Sequence, residues 1–311
     1  MSIELELKFL LAKPAAENLP LLLTACGNLQ NAGQAALLNA YFDTSDNWFR
    51  QHDMGLRTRQ KHGNFEQTIK LAGQQHGALQ ARPEFNVPVQ GITPELAAFP
   101  PEIWPDNTDI DRLQQQIAEI FRTDFVRQSW QLHYEDSVLE VVYDSGEVIA
   151  GSKNEPISEL ELELLSGPAS ALFKVAAQLL SALPVRTGWL SKAARGYLLA
   201  NKQQLTPPLP QQSGLVALLS ALQCTEALYF RQQAGAASLA GGITELTRAR
   251  HYLQQLSEEL DALQYPALSS HAADLAEQLQ RGVVIFSQTG YNQFLLELAQ
   301  LLFQQSDAGQ S

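Results

Sequence analysis

The stretch Ile3-Glu4-Leu5-Glu6-Leu7-Lys8-Phe9 alternates apolar and charged residues along its whole length. Side chains two residues apart in a β-strand share a face, so this stretch predicts a strand with one apolar and one ionic face. Residues 157–165 repeat the pattern, with Glu159, Glu161 and Glu163 on one face and leucines on the other. Such strands, without regular alternation with helices, favour an antiparallel sheet or barrel over a doubly wound fold.

Other predicted strands also carry ordered rows of polar or charged residues. Residues that share a face are Arg57 with Arg59, Glu66 with Thr68 and Lys70, Arg82 with Glu84 and Asn86, Arg127 with Ser129 and Gln131, and Glu140 with Asp144. Like charges on one face repel, so rows of a single sign suggest a ligand. A barrel that points these rows inward would bring carboxylates and cations into one cavity. Carboxylates suit Mg²⁺ or Mn²⁺ and cations suit phosphate, so the pattern predicts a site for a metal-bound polyphosphate.

The first 200 residues are predicted to be mainly strands, and the rest helical. Strands are predicted at 2–11, 37–43, 54–60, 64–71, 82–90, 122–134, 137–143, 146–150 and 157–165. Helices are predicted near 14–26, 109–119, 168–182 and 191–202, and then at 213–232, 240–262, 268–285 and 289–305. The proline-rich stretch 203–213 predicts a linker between a first domain, 1–202, and a helical bundle, 214–305.

Composition excludes several classes of protein and site. The net charge of -12 repels nucleic-acid phosphates, so no nucleic-acid partner is expected. No uncharged run is suited to span a bilayer, so no membrane partner is expected. Cys26 and Cys224 fit neither a disulfide framework nor a metal motif and are expected to be thiols in a reducing cytoplasm. The histidines lack zinc-site spacing and no glycine-rich phosphate loop occurs, so side chains would have to hold any phosphate.

Several short motifs, in one order, point to a family. They are Glu4-x-Glu6-x-Lys8, YFDT at 41–44, LRTR at 56–59, TIK at 68–70, ELELEL at 159–164 and SKAARGY at 191–197. Together they resemble the CYTH superfamily of triphosphate tunnel metalloenzymes, over roughly residues 1–200. The stretches NWFRQHDMGLRTR (47–59) and LSKAARGYLLA (190–200) are similar to its bacterial inorganic triphosphatase branch, in which a helical CHAD domain follows the CYTH domain.

The resemblance implies an α+β fold, namely an eight-stranded antiparallel β-barrel with flanking helices, followed by an all-α bundle. It implies that Mg²⁺ or Mn²⁺ is bound by four carboxylates, those of Glu4, Glu6, Glu161 and Glu163. The side chains expected to hold phosphate are Lys8, Arg57, Arg59, Lys70, Arg127 and Lys192, with Arg186 as a further candidate. The residues expected to act in catalysis are Lys8, Arg57, Arg59, Lys70, Glu159 and Asp144, the last two by binding or orienting metal and water.

The C-terminal part departs from the family pattern, because it corresponds to about half of a CHAD domain. The segment TELTRARHYLQQL (244–256) resembles a basic CHAD helix and retains Arg248, Arg250 and His251. These side chains are interpreted as a solvated face. The bundle is expected either to pack against the barrel or to pair with a second subunit.

The expected activity is metal-dependent hydrolysis of tripolyphosphate to pyrophosphate and phosphate. Thiamine triphosphatase, nucleoside or RNA triphosphatase and class IV adenylate cyclase are alternatives within the family, and a non-catalytic polyphosphate-binding protein is an alternative outside enzymes. An organic substrate needs an aromatic pocket, for which Trp48, Phe49 and Trp104 are candidates, although core packing is the preferred interpretation of these three rings.

Overall fold

The computed structural model of the protein describes residues 2–234 and 239–308. The strands in these ranges are β1 (Ser2–Leu11), β2 (Asn28–Asp43), β3 (Gly55–Lys61), β4 (Asn64–Lys70), β5 (Gln74–His76), β6 (Leu79–Val89), β7 (Ala118–Tyr134), β8 (Ser137–Ala150), β9 (Lys153–Ser166) and β10 (Val185–Thr187). Eight of them pair in the order β1-β9-β8-β7-β2-β3-β4-β6, and β6 pairs again with β1. Every pairing is antiparallel, which confirms the predicted closed barrel.

Helices cover one side of the barrel and form the C-terminal part. Those in the described residues are α1 (Lys13–Ala16), α2 (Leu19–Cys26), α3 (Trp48–Gln51), α4 (Ile110–Gln116), α5 (Ala169–Ala182), α6 (Lys192–Leu199), α7 (Leu215–Ala234), α8 (Leu239–Ala262), α9 (Pro266–Gln280) and α10 (Thr289–Ala308). Residues 235–238, between the predicted helices 213–232 and 240–262, lie outside the described residues. None of the helices described is both long enough and apolar enough to cross a membrane.

The apolar faces of the alternating strands form the core between the barrel wall and the helices. Leu7 of β1 and Leu162 of β9 face each other across the ladder, and both are fully buried. They belong to one cluster with Leu172 and Val175 of α5. Because successive residues of a strand point to opposite sides, burying the leucines outside the wall turns the intervening charged residues into the barrel.

Two strands are longer than the sequence predicts. β2 begins at Asn28 rather than at residue 37, because its polar first half pairs continuously with β7, with a register shift at Gly33 (φ 107°). The predicted break between residues 143 and 146 is absent. A Cβ on Gly146 would lie 2.4 Å from the Cα of Phe125, so this glycine allows close approach of β7 rather than ending a strand.

The linker 203–213 and helix α10 connect the two parts of the chain. The linker has no helix or strand, but the Tyr252 hydroxyl donates to the Leu209 carbonyl at 2.7 Å. In α10, the Asn292 Oδ1 accepts from the backbone N–H of Thr187 at 2.9 Å. Leu296 and Ala299 of the same helix join the core cluster that covers the barrel. The helical part therefore packs directly on the barrel.

Candidate active site

A cavity of about 300 Å³ lies inside the barrel and is called the lumen cavity here. The charged rows predicted from the sequence meet in it. Its cationic lining residues are Lys8, Arg57, Arg59, Lys70, Arg82, Arg127 and Lys192. Its carboxylates are Glu4, Glu6, Glu66, Glu84, Glu140, Glu161 and Glu163. Seven groups of each sign in so small a volume make the cavity strongly polar without a large net charge.

Three of the carboxylates form a row across neighbouring strands. Glu163 of β9 lies opposite Glu6 of β1 on one side and opposite Glu140 of β8 on the other. Burial, followed by the charge of Glu161, raises the pKa of Glu6 to about 7. Burial and the neighbouring carboxylates raise the pKa of Glu163 to about 7 as well. Within the described part of the chain, none of the three forms an ion pair, so the row is a cluster of repelling charges.

Three cations of the lumen cavity, Arg82, Arg59 and Lys8, also lack a carboxylate partner among the described residues. Arg82 donates through Nε to the backbone carbonyl of Leu71 at 2.9 Å. Arg59 donates through Nε to Asn39 at 2.8 Å but forms no ion pair. Burial, together with the charges of Arg57 and Arg127, lowers the pKa of Arg59 to about 9. Lys8 is only 2 % exposed, and burial lowers the pKa of its ammonium. An anion placed between these groups would remove an electrostatic penalty that the protein alone leaves in place.

The remaining cations of the cavity are paired. Lys70 contacts Glu4 and lies 2.8 Å from Glu84, and Arg57 lies 3.6 Å from the same Glu84. Burial acts to raise the pKa of Glu84, but Arg57 and Lys70 outweigh it and hold that pKa well below its usual range. Glu84 therefore orients two cations that line the cavity.

Lys192 is held by three carboxylates at the start of α6. Its Nζ lies 2.8 Å from Asp144, 2.6 Å from Glu159 and 2.7 Å from Glu161. Burial lowers the pKa of this lysine, but the three carboxylates outweigh it and keep the pKa well above its usual value. The Ser191 hydroxyl, which accepts from the Ala194 N–H at 3.0 Å, caps the helix and fixes where Lys192 enters the barrel.

Asp144 and Glu159 do not line the lumen cavity, although both were expected to bind or orient metal and water. Both are fully buried behind it. Asp144 accepts two hydrogen bonds of 2.7 Å from Arg127, and Glu159 accepts one of 2.5 Å from Arg195. Their position fits the orientation of cations rather than contact with a ligand.

Arg186 is the one predicted phosphate-binding cation that lies away from the lumen cavity. Its strand, β10, pairs with the end of β1 outside the eight-stranded barrel, with Leu10 opposite Arg186. The guanidinium lies 3.6 Å from the ring centroid of Phe230 in α7. The structure thus separates Arg186 from the other predicted cations.

Several lining or supporting residues were absent from the predicted site. Glu84 and Glu140 belong to the rows that the alternation pointed into the barrel, and both line the lumen cavity, but the sequence assigned neither a role in the site. Arg195 follows Lys192 by three residues, which is one helical turn. This spacing indicates that the two side chains lie on the same face of α6. Asp43 of the YFDT motif accepts from the Phe49 N–H at 2.9 Å and from the Tyr197 hydroxyl at 2.6 Å, which ties α3 and α6 to β2.

The aromatic residues considered for an organic substrate are packed elsewhere. Phe49 is fully buried, and its ring centroid lies 6.2 Å from that of Trp104. The ring of Trp48 packs against both, with its centroid 5.1 Å from that of Phe49 and 6.5 Å from that of Trp104. In the part of the chain that the structure describes, Tyr41 and Phe125 are the aromatic side chains that line the lumen cavity.

Comparisons with known proteins agree with these observations. The CYTH domain pattern matches residues 2–197. The inorganic triphosphatase of Haemophilus influenzae is 36% identical over an alignment that covers 65% of this chain and 56% of that protein. This chain therefore spans little more than half the length of that curated relative.

Two solved structures are also similar. A Hippeastrum protein described as having a dominant triphosphatase activity is 14% identical, with a TM-score of 0.43, and covers 66% of this chain and 98% of its own. A Pyrococcus horikoshii protein is 18% identical, with a TM-score of 0.39, and covers 64% of this chain and 99% of its own. The family pattern spans more than half of this chain and confirms the resemblance seen in the motifs, so the chain belongs to the CYTH domain family.

Proposed function

We propose that this chain hydrolyses inorganic tripolyphosphate inside the barrel, with a divalent metal ion, to give pyrophosphate and phosphate. One observation carries the proposal: the lumen cavity contains cations, Lys8 and Arg59, and a carboxylate row, Glu6, Glu163 and Glu140, that form no ion pair with any described residue. A polyanion alone would satisfy only the cations, and a metal alone only the carboxylates. A metal-bound polyphosphate satisfies both sets at once. The name of the Haemophilus relative supports the same reaction.

The cations are proposed to hold and neutralise the phosphate chain. Arg59 and Lys8 offer donors that no described carboxylate occupies, while Arg57, Lys70, Arg127 and Lys192 are held in fixed orientations by their ion pairs. Donors that are already oriented lower the barrier most, because they need no rearrangement when charge develops in the transition state. Phosphoryl transfer requires little covalent help from the protein, so positioning and charge stabilisation suffice.

The metal is proposed to bind at Glu4, Glu6, Glu161 and Glu163, with Glu140 beside them. Among residues 2–234 and 239–308, no three His, Cys, Asp or Glu side chains are arranged so that they could hold a metal. The donor chemistry nevertheless fits, because burial and neighbouring carboxylates raise the pKa values of Glu6 and Glu163, and no described cation forms an ion pair with either. Glu4 and Glu161 are held by Lys70 and Lys192. When bound, Mg²⁺ or Mn²⁺ would neutralise phosphate oxygens and lower the pKa of water.

An inorganic substrate is favoured over an organic triphosphate by the cavity itself. A volume of about 300 Å³ is at the lower end for small-molecule pockets. The two aromatic rings of described residues that line it already pack against other side chains. The ring centroids of Tyr41 and Phe121 are 4.5 Å apart, and the Phe125 ring lies 5.7 Å from the Arg127 guanidinium. Trp48, Phe49 and Trp104 belong to a separate packed cluster. A base or thiazolium ring would therefore lack a stacking partner in this cavity.

We further propose that residues 1–202 carry the activity and that the bundle at 214–305, which resembles half of a CHAD domain, supports the barrel. The contacts of Asn292 and Leu296 with the barrel favour this role over pairing with a second subunit. The two free thiols, Cys26 and Cys224, favour a cytoplasmic location.

The test is phosphate release from tripolyphosphate, ATP and thiamine triphosphate, measured side by side with Mg²⁺, with Mn²⁺ and with EDTA. EDTA-sensitive turnover of tripolyphosphate, with the organic substrates far slower, is the expected result. Faster turnover of ATP or thiamine triphosphate would assign an organic substrate. Metal-independent binding of tripolyphosphate without product would instead identify a binding protein.

A further inference from the structure

A second cavity, called the junction cavity here, lies between the end of β1, β10 and helix α7. Its volume is about 910 Å³, and it shares no lining residue with the lumen cavity. Much of its wall is apolar, including Leu11, Trp189 and Phe230. A volume of this size is typical of sites for small organic molecules, which combine apolar walls with a few placed polar groups.

Arg186 is the first such polar group. Its guanidinium lies 3.6 Å from the centroid of the Phe230 ring, so the apolar wall fixes the orientation of the charge. Burial lowers the pKa of Arg186, and no ion pair joins it to a carboxylate in the described part of the chain. The junction cavity therefore contains a partly desolvated cation that no described carboxylate contacts directly.

Gln223 of α7 is the second polar group of the junction cavity. Its side chain is 1 % exposed, and neither its amide nitrogen nor its amide oxygen has a hydrogen-bond partner. A buried amide normally finds partners for both atoms, because an unpaired one carries the full desolvation penalty. Gln223 lines the junction cavity, so a turn of its side chain would bring an amide donor and an amide acceptor to whatever occupies the cavity.

Glu226, one helical turn beyond Gln223, attracts Arg186 but forms no ion pair with it among the described residues. It is 5 % exposed, and its Oε2 accepts a hydrogen bond of 3.1 Å from Tyr291. Burial raises the pKa of Glu226 to about 7, so this carboxyl is largely protonated below neutral pH. The cation of the cavity consequently remains available to a ligand at pH 6, the pH at which the titrations below are made.

We propose that the junction cavity binds a small organic anion, with an aromatic body against Trp189 and Leu11 and an acidic group paired with Arg186. A polar substituent on that body pairs with the amide of Gln223. This site is independent of the lumen cavity and of the reaction proposed there. A simple phosphate would leave the apolar walls uncovered, and an uncharged hydrocarbon would leave Arg186 and Gln223 without partners.

The test uses 8-anilinonaphthalene-1-sulfonate, an aromatic anion whose fluorescence rises in apolar surroundings, titrated into the full-length chain. Its uncharged analogue N-phenyl-1-naphthylamine is titrated in parallel. One saturable site is expected for the anion, and Arg186→Gln should weaken it roughly tenfold or more while changing the Kd of the uncharged analogue less than about twofold. Arg281→Gln, which alters an exposed arginine of α9 paired with Glu277, is the matched control and should leave both values unchanged.

A second variant keeps the test independent of how Arg186→Gln folds. Ala227 lines the same cavity, and Ala227→Phe should fill it and abolish binding of both dyes, with thermal unfolding confirming that each variant is folded. Saturating magnesium tripolyphosphate and inorganic phosphate should not displace the anion. Equal anion binding by Arg186→Gln and wild type, or displacement by tripolyphosphate, would overturn the proposal. Because the readout is binding, it does not depend on whether the lumen cavity hydrolyses anything.

Discussion

The Nζ of Lys192, which lines the lumen cavity, lies 2.6 Å from the Oε2 of Glu159, which is fully buried behind it. The other oxygen of Glu159 accepts from Arg195 at 2.5 Å, one helical turn further along α6. One buried carboxylate thus fixes two cations of the same helix. Removing one member of a buried ion pair leaves an uncompensated charge, so this contact should matter for folding and for the position of Lys192.

Glu159→Gln is therefore expected to lower the free energy of unfolding by about 3–5 kcal/mol and to reduce kcat. Denaturant unfolding and phosphate release measure the two effects. Glu119→Gln removes an exposed carboxylate that pairs with Arg122 at 2.7 Å, and it should change neither quantity appreciably. Unchanged stability with a higher Mg²⁺ requirement would show instead that Glu159 is a metal ligand.

Replacing Arg59 should stabilise the protein while impairing the reaction. Arg59→Met removes a buried cation whose pKa is lowered to about 9 by burial and by Arg57 and Arg127. We expect the free energy of unfolding to rise by about 1–2 kcal/mol, reduced by the free energy of the lost hydrogen bond to Asn39. We expect kcat/KM for tripolyphosphate to fall about 100-fold. Urea unfolding and steady-state kinetics test this. A loss of both stability and activity would make Arg59 a structural residue.

The carboxylate row should set the metal requirement. Glu163→Gln is expected to raise the Mg²⁺ concentration for half-maximal phosphate release roughly tenfold or more, because it removes one hard oxygen ligand from the row. Glu66→Gln is the matched control: it lines the same cavity but lies on β4, opposite Arg59 rather than Glu6. Equal metal dependence in the two variants would rule out the row as the metal site.

The buried Glu226 should make stability depend on pH. Its pKa is raised from 4.5 to about 7 in the folded chain, so the unfolded chain loses this proton first as the pH rises. Folding is therefore penalised progressively between about pH 4.5 and pH 7, and the penalty levels off above that range at about 3 kcal/mol.

Glu226→Gln should remove this penalty and keep an acceptor for Tyr291. The variant should match wild type near pH 4 and be more stable near pH 8, by calorimetry or denaturant unfolding. Glu277→Gln changes an exposed glutamate of α9 and should show no such pH-dependent difference. If Glu226→Gln raised the free energy of unfolding equally at pH 4 and at pH 8, Glu226 would not be protonated in the folded chain.

Much of the barrel could be predicted from the sequence, because alternation over five or more residues specifies both strand and face. The pattern in residues 3–9 and 157–165 placed Glu6 and Glu163 on one lumen-facing set, but it could not place them opposite each other. That relationship depends on the register between β1 and β9, which are far apart in the chain. The row with Glu140 likewise became visible only with the three strands aligned.

Other features of the fold and of the site could not be predicted from the neighbouring sequence. β5 and β10 contain three residues each, too few for a period, and they form because β6 and β1 offer neighbouring edges. Arg186 is six residues from Lys192 in the chain, yet β10 carries it to the outside of the barrel. Asp144 was predicted to share a face with Glu140, but only the packing of α6 shows that Asp144 contacts Lys192.

The contact between Asn292 and Thr187 bears on how this protein can be divided. Truncation after residue 202 would remove the acceptor of the Thr187 N–H and uncover the patch now occupied by Leu296 and Ala299. An unpaired strand edge beside an exposed apolar patch promotes association between molecules. A shortened chain should therefore aggregate even if its barrel closes, so the C-terminal helices serve as the solubilising cover of that wall.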